Sequence, residues 1–352
     1  MSLRILIVGN FLSHTGGSRG VCEDLALRLQ TVGHQVITTS RYRNRPMRLA
    51  DMLSTTWRKR KHYDVAQVDV YSGPAFFWAE AVCHVLRRAG KPYLLILHGG
   101  NLPTFARRWP DRVRRLLQSA AVVTAPSRYL LEEMRAYRTD MELLPNPIDL
   151  GAYSYKCRQT VEPGIVWLRA FHAIYNPQLL ARVVAELIQD FPSIQVTMIG
   201  PDKGDGSFQA TQQLLEELGI ADRFRFPGGV AKADVPKHLN SGDIFINTTN
   251  VDNTPVSVIE AMACGLPVIS TNAGGIPYLL DDEHDALLVP PDDAKAMAHA
   301  VRRILTEPGL AERLSRNARA KVEKWDWSVV LPQWQALLAS LSTYSEGRRK
   351  NR

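Results

Sequence analysis

Long apolar runs are missing from this chain, and nothing in it approaches the roughly 20 residues that a membrane-spanning helix needs. Cysteine is scarce: Cys22, Cys83, Cys157 and Cys264 lie scattered through 352 residues without C-x-x-C spacing. That argues against a disulfide frame or a zinc site and fits reduced thiols, so no structural metal is expected. Nor is a secretion signal expected. The opening MSLRILIVGNF has one Arg and a short apolar run ending in Gly and Asn, which reads as a buried strand and predicts a cytoplasmic protein. The first glycine pair, Gly16-Gly17, is not part of a G-x-G-x-x-G spacing, and no acidic residue follows the second apolar run. Both absences argue against a nicotinamide or flavin cofactor.

Basic charge is plentiful but unevenly placed. The formal net charge is +8, and residues 1–150 carry all of the excess, with 22 Lys and Arg against 12 Asp and Glu. The segment 41–61, RYRNRPMRLADMLSTTWRKRK, has eight basic residues and one acidic one, and 106–115 adds five more. Such a surface suits anionic lipid headgroups or a phosphate-bearing acceptor, and it equally suits a merely solvated basic face. No nucleic-acid-binding motif accompanies the charge, so nucleic acid is not an expected partner.

Short β-branched and apolar runs alternate with longer segments of helical period, the pattern of parallel sheets with crossover helices. The first set runs from RILIVGNF to MELLPN; after a turn-rich stretch at 146–164 a second set runs from IVWLRAF to ALLVPP. The expected fold class is α/β, with two doubly wound Rossmann-like parallel-sheet domains facing across a cleft. The expected domains are 1–150 and 151–325, with a C-terminal helix at about 326–345 packing back on the first. Ligands of open α/β sheets bind beyond the carboxyl ends of the strands, so the residues there are the candidates.

Gly16 and Gly17 precede the first long helix, where backbone N–H groups either face an anion or simply make a turn. Arg169, at the end of the first strand of the second set, has a fork of donors suited to a diphosphate and equally to a rim ion pair. His98 leaves LLILH ahead of two glycines; it either meets a ligand or is a satisfied core group. The stretch DNTPVSVIEAMACG, 252–265, places Asp252, Asn253, Thr254, Pro255 and Val256 in a loop and at a short helix start. Ser257 and Glu260 match an S-x-x-E capping box there. The positive end of that helix would attract diphosphate oxygens, and the carboxylates would accept from sugar and ribose hydroxyls.

The segment DNTPVSVIEAMACGLPVISTNAGGIP resembles the donor-binding segment of the family 4 glycosyltransferases, which have the GT-B fold. GGSRGVCEDLALRLQTVGHQV, LHGGN, TAPSRYL, LLPNPID and GDIFIN support the resemblance in the right order over nearly the whole chain. It implies a retaining, metal-independent transferase. The second domain would hold a nucleotide-diphosphate sugar and the first a saccharide or lipid-linked acceptor, in surface-glycan assembly at the inner membrane face. No cofactor is implied, and no D-x-D occurs in the chain. By that resemblance Glu260 contacts the ribose, Asp252 the sugar, Asn253 to Val256 the sugar and phosphate, and Arg169 the diphosphate. His98 lies near the sugar and leaving group, Gly17 on the phosphate side, and Val230 near the base. The chain departs from the family in three ways: Ile174 stands where a Lys is usual, Asp252 replaces Glu, and NTPV replaces a glycine-containing loop. These departures keep open a degenerate protein that binds a nucleotide sugar or a partner enzyme without transfer. Replacing Arg58, Lys59, Arg60 and Lys61 by Gln is expected to weaken association with anionic vesicles in a sedimentation assay; unchanged binding removes the membrane idea.

Overall fold

The computed structural model describes residues 2–13 and 19–350, with 343–350 described by backbone alone. The chain divides into two compact units, 1–147 with 327–352, and 148–326.

The first unit contains β1 (Arg4–Val8), α1 (Val21–Thr31), β2 (Gln35–Thr39), α2 (Arg45–Arg58), β3 (Val65–Val70), α3 (Pro74–Arg88) and β4 (Tyr93–Leu97). It continues with α4 (Leu102–Arg108), α5 (Pro110–Ser119), β5 (Val122–Ala125), α6 (Arg128–Met134) and β6 (Glu142–Leu143). The strands form one parallel sheet in the order β2-β1-β3-β4-β5-β6. Every residue of β3 and β4 is buried, because helices cover both faces. Alternation along β1 sends Leu6 and Val8 into one core cluster and Ile5 and Ile7 into the other.

The second unit contains β7 (Gly164–Leu168), α7 (Pro177–Leu187), β8 (Gln195–Ile199), α8 (Ser207–Glu217), β9 (Phe224–Gly228), α9 (Val235–Leu239) and β10 (Ile244–Asn247). After these come α10 (Val256–Ala263), β11 (Val268–Thr271), α11 (Ile276–Leu279), β12 (Leu287–Val289), α12 (Ala294–Thr306) and α13 (Leu310–Glu323). Its parallel sheet has the order β12-β11-β10-β7-β8-β9. Both halves are therefore Rossmann-like, as the alternating pattern implies.

Each sheet changes winding direction once, between β1 and β3 in the first unit and between β7 and β10 in the second. The loops leaving paired strands diverge at such a point and open a crevice for a ligand.

The last helix, α14 (Trp327–Lys350), belongs to the first unit. Its Trp327, Val330, Trp334, Leu338 and Leu341 share a core cluster with Ile5, Ile7, Leu25 and Leu29. No helix among the described residues is long and apolar enough to cross a membrane. Trp334, 2% exposed, is the more buried of the two α14 tryptophans in that cluster. Trp334→Ala is expected to cost ~3–5 kcal/mol in denaturant unfolding; a change below about 1 kcal/mol would contradict this packing role.

Candidate functional site

The second unit's crevice lies between the ends of β7 and β10. Arg169 is the first residue past β7, and its N–H donates to the carbonyl of Ile199 at 2.9 Å. The guanidinium carbon lies 4.8 Å from the centre of the Tyr175 ring, and one nitrogen donates to Asp252 Oδ2. Both side chains of this ion pair are 15% exposed. Asp252 also accepts from the backbone N–H of Asn253 at 2.7 Å through Oδ1. Burial pushes the Asp252 carboxyl above its ordinary pKa, outweighing the opposing pull of Arg169 and of the backbone donors.

Two glycines on a different segment make this loop possible. The N–H of Gly275 donates to the Asp252 carbonyl at 2.7 Å. A Cβ at Gly274 would overlap that carbonyl, and one at Gly275 would overlap the carbonyl of Asn253. Gly274 also holds a φ of +60°. The 252–255 loop contains no glycine of its own, so the close backbone approach is provided by the segment facing it.

Helix α10 starts at Val256 with Pro255 as its N-cap, and no side-chain capping bond is present. The capping box expected from Ser257 and Glu260 is thus corrected. Pro255, with φ −67°, already fits a helix entry, so Ser257 falls inside the first turn. Its hydroxyl is buried without a hydrogen-bond partner. Arg169 Nε and Thr254 Oγ1 are in the same condition nearby in the chain fold. Val256 itself is 55% exposed, whereas the rest of α10 is buried. At the other end, Gly265 N–H bonds the Met262 carbonyl and Leu266 N–H bonds that of Ala261, closing a Schellman motif at φ +78°.

Glu260 is 4% exposed and held from two distant segments. The Tyr153 hydroxyl donates to its Oε1 at 2.5 Å, and Lys232 Nζ donates to the same oxygen. Burial first, then the Glu260 charge, pushes the Tyr153 hydroxyl pKa upward, so it remains a donor. Val230 is partly buried against the cluster containing Ile259, two residues before Lys232.

Sequence reasoning did not single out Tyr153, Lys232 or Tyr175. Lys232 opens a short 3-10 turn, Tyr153 follows another, and Tyr175 ends a third just after His172, none of them carrying a motif. In that segment His172 Nδ1 accepts from the Ile174 N–H at 3.1 Å, and its Nε2 lies 3.7 Å from Asp205. Ile174 is 38% exposed.

Arg169, Asp252 to Val256, Glu260 and Val230 thus all belong to the second unit. His98 belongs to the first. It follows β4, donates its N–H to the Val70 carbonyl at 2.8 Å, and stacks on Tyr71 with ring centres 4.7 Å apart. Gly16 and Gly17 lie outside the described residues. Among the described residues no group of three or more His, Cys, Asp or Glu could hold a metal ion.

Comparison with known proteins follows the same division. Residues 162–321 match the model described as "Glycosyl transferases group 1", and residues 15–152 match "Glycosyltransferase Family 4". A D-inositol 3-phosphate glycosyltransferase of Streptomyces bingchenggensis is 27% identical over 299 residues, which is 77% of this chain and 63% of that relative. A GDP-mannose-dependent alpha-(1-6)-phosphatidylinositol monomannoside mannosyltransferase of Mycolicibacterium smegmatis is 25% identical, covering 68% of this chain and 66% of its own length. The matches therefore span just under two thirds of these relatives. The crystal structure of Anabaena HepE in complex with UDP-glucose shares the fold, with a TM-score of 0.71 at 17% identity over 96% of this chain and 100% of that one. With both halves matched in order and two Rossmann-like units in place, the chain belongs to the GT-B glycosyltransferases of the group 1 and family 4 kind.

Proposed function

We propose that this chain is a nucleotide-sugar-dependent glycosyltransferase whose second unit binds the donor and whose first unit binds the acceptor. The observation that carries the reading is the head of α10. There Arg169 Nε, Thr254 Oγ1 and Ser257 Oγ are buried without partners, at a helix N-terminus on the sheet's switch point. Leaving buried polar groups unpaired costs about 1–3 kcal/mol each, which a bound anion would recover.

In this reading the diphosphate takes the α10 N-terminus and Arg169, with Asn253, Thr254 and Val256 alongside. Pro255 has no N–H and shapes the loop rather than donating. Glu260, positioned by Tyr153 and Lys232, accepts from the ribose hydroxyls. Asp252 reaches the sugar, and Val230 lies towards the base. The same reading takes His98, and Gly16 and Gly17 outside the described residues, as further sugar- and phosphate-side candidates. The acceptor oxygen bonds to the anomeric carbon on the face from which the diphosphate leaves, with retention. The C–O bond to phosphate breaks, and the leaving phosphate takes the acceptor's proton. Arg169 and the helix stabilise the charge developing there.

The acceptor class we propose is a saccharide or lipid-linked glycan of surface-glycan assembly, reached from the cytoplasmic face. The M. smegmatis relative, named for a phosphatidylinositol mannoside, supports a lipid-linked acceptor, as does the basic 41–61 segment. A second reading, binding of a nucleotide sugar without transfer, is favoured by one feature. Asp252 already occupies Arg169, and position 174 offers an apolar side chain where a second cation is usual.

A panel of nucleotide sugars separates the two. The expected result is release of free nucleotide with at least one donor. Arg169→Ala should lower kcat by roughly 10²–10³-fold, in the range of removing one transition-state donor, and Glu260→Gln should chiefly raise the donor KM. Saturable binding with no turnover for any donor or acceptor would establish the binding protein instead.

Asp252 has a separate test. Its folded pKa is raised above the unfolded value of about 3.9. Its share of stability is thus fully present below the unfolded value and falls as pH rises through the native one. Wild-type stability relative to Asp252→Asn should therefore decline between pH 4 and pH 7 in urea titrations. A constant difference would mean that burial does not dominate at this carboxyl.

A further inference from the structure

Arg169 stands between two fixed walls at the head of the second unit's crevice. On one side the Tyr175 ring centre lies 4.8 Å from the guanidinium carbon. The Trp167 indole N–H donates to Thr248 Oγ1 at 2.9 Å, that hydroxyl donates to the Tyr175 carbonyl at 2.6 Å, and the Asn250 N–H donates to the Ile174 carbonyl at 2.8 Å. These bonds tie the 173–175 turn to the exit of β10. On the other side Arg169 Nη2 donates to Asp252 Oδ2, and the Asp252 carbonyl is pinned by the Gly275 N–H. What can turn between the walls is the guanidinium, whose Nε has no partner.

The pair is unequal in its supports. Apart from Arg169, the Asp252 carboxylate is answered by the Asn253 N–H at 2.7 Å, with a lesser contribution from the Thr254 backbone. Burial pushes its pKa up, which marks a charge short of solvation. A diphosphate that draws Arg169 away therefore leaves a half-satisfied carboxylate beside a new anion, a costly combination in a buried site. Sugar hydroxyls change that balance, because they donate where the guanidinium did.

We propose that Asp252 is a specificity-determining residue that makes this crevice prefer an intact nucleotide sugar to the bare nucleoside diphosphate, an inference that rests on the glycosyltransferase reading. Asp252 holds Arg169 until a sugar attached to the arriving diphosphate supplies hydroxyl donors in exchange. A nucleoside diphosphate alone, whose ribose hydroxyls go to Glu260, offers none there and has to compete with the carboxylate. After transfer the sugar is gone, Asp252 takes Arg169 back, and the nucleoside diphosphate is displaced. Tyr175 is a positioning residue that gives the guanidinium a fixed face in both arrangements.

Calorimetric binding to the full chain tests this with UDP, GDP and ADP, each free and as its glucose, galactose and mannose conjugate, and with inorganic pyrophosphate. For the base that binds, at least one conjugate should bind wild type more tightly than the free diphosphate by roughly tenfold or more, the scale of hydrogen bonds to a charged group. Asp252→Asn should tighten the free diphosphate and pyrophosphate by a similar factor, leave the conjugate unchanged or weaker, and so abolish the preference. Arg169→Ala should lose pyrophosphate. Tyr175→Leu should weaken all of these ligands alike, and Tyr175→Phe should restore them. A merely structural Asp252 would instead weaken every ligand in Asp252→Asn, which overturns the proposal; so does an unchanged diphosphate affinity in that variant. Thermal melts identify folded variants. If Asp252→Asn does not fold, Asp252→Ser takes its place, and a wild type that binds the free diphosphate as tightly as every conjugate overturns the proposal without any variant. Failure of every nucleotide to bind, with pyrophosphate still held through Arg169, would contradict the glycosyltransferase reading and the sugar coupling with it. Nucleotide binding with a preference that survives in Asp252→Asn overturns this inference alone.

Discussion

The ion pair between Arg169 and Asp252 governs the second unit's crevice. It joins the end of β7 to the loop that leads into α10, and burial makes the carboxylate a reluctant partner. Removing one member of a buried pair costs about 3–5 kcal/mol because the other charge is stranded. An arriving diphosphate would exchange one anion for another at Arg169 rather than fill an empty site. The loop between them is held from behind by Gly274 and Gly275. The crevice is therefore preorganised in backbone and contested in charge.

At the second unit's switch point stand a cation, a helix N-terminus and unpartnered hydroxyls, a set suited to an anion. The shared fold carries no such information by itself, since similar sheets serve unrelated activities.

Much of the architecture was legible because parallel strands covered on both faces read as short apolar runs, and those runs recur in order along this chain. Arg169 and the loop at Asp252 could be named because strand-end positions are set by topology, and Glu260, within α10, by its spacing from Ser257 and by the family resemblance. The register of α10 was not legible. Ser257 and Glu260 have capping-box spacing, but the pattern cannot say whether Ser257 precedes the helix or lies within it, and Pro255 took the earlier place. Nor could sequence bring Tyr153 and Lys232 to Glu260, since one lies 107 and the other 28 residues away. The NTPV loop read as a departure from the family; that the neighbouring Asp252 and Asn253 carbonyls lie against Gly274 and Gly275 of a facing segment could not be read from sequence.

The central claim is that the head of α10 receives the diphosphate of a nucleotide sugar. A crystal structure of the full chain with an intact nucleotide sugar tests it most directly. The account expects phosphate oxygens within hydrogen-bond distance of Arg169 and the first N–H groups of α10, with the Arg169 guanidinium drawn away from Asp252 and the ribose on Glu260. A nucleotide bound elsewhere, with the Arg169–Asp252 pair intact and Ser257 still without a partner, would contradict it.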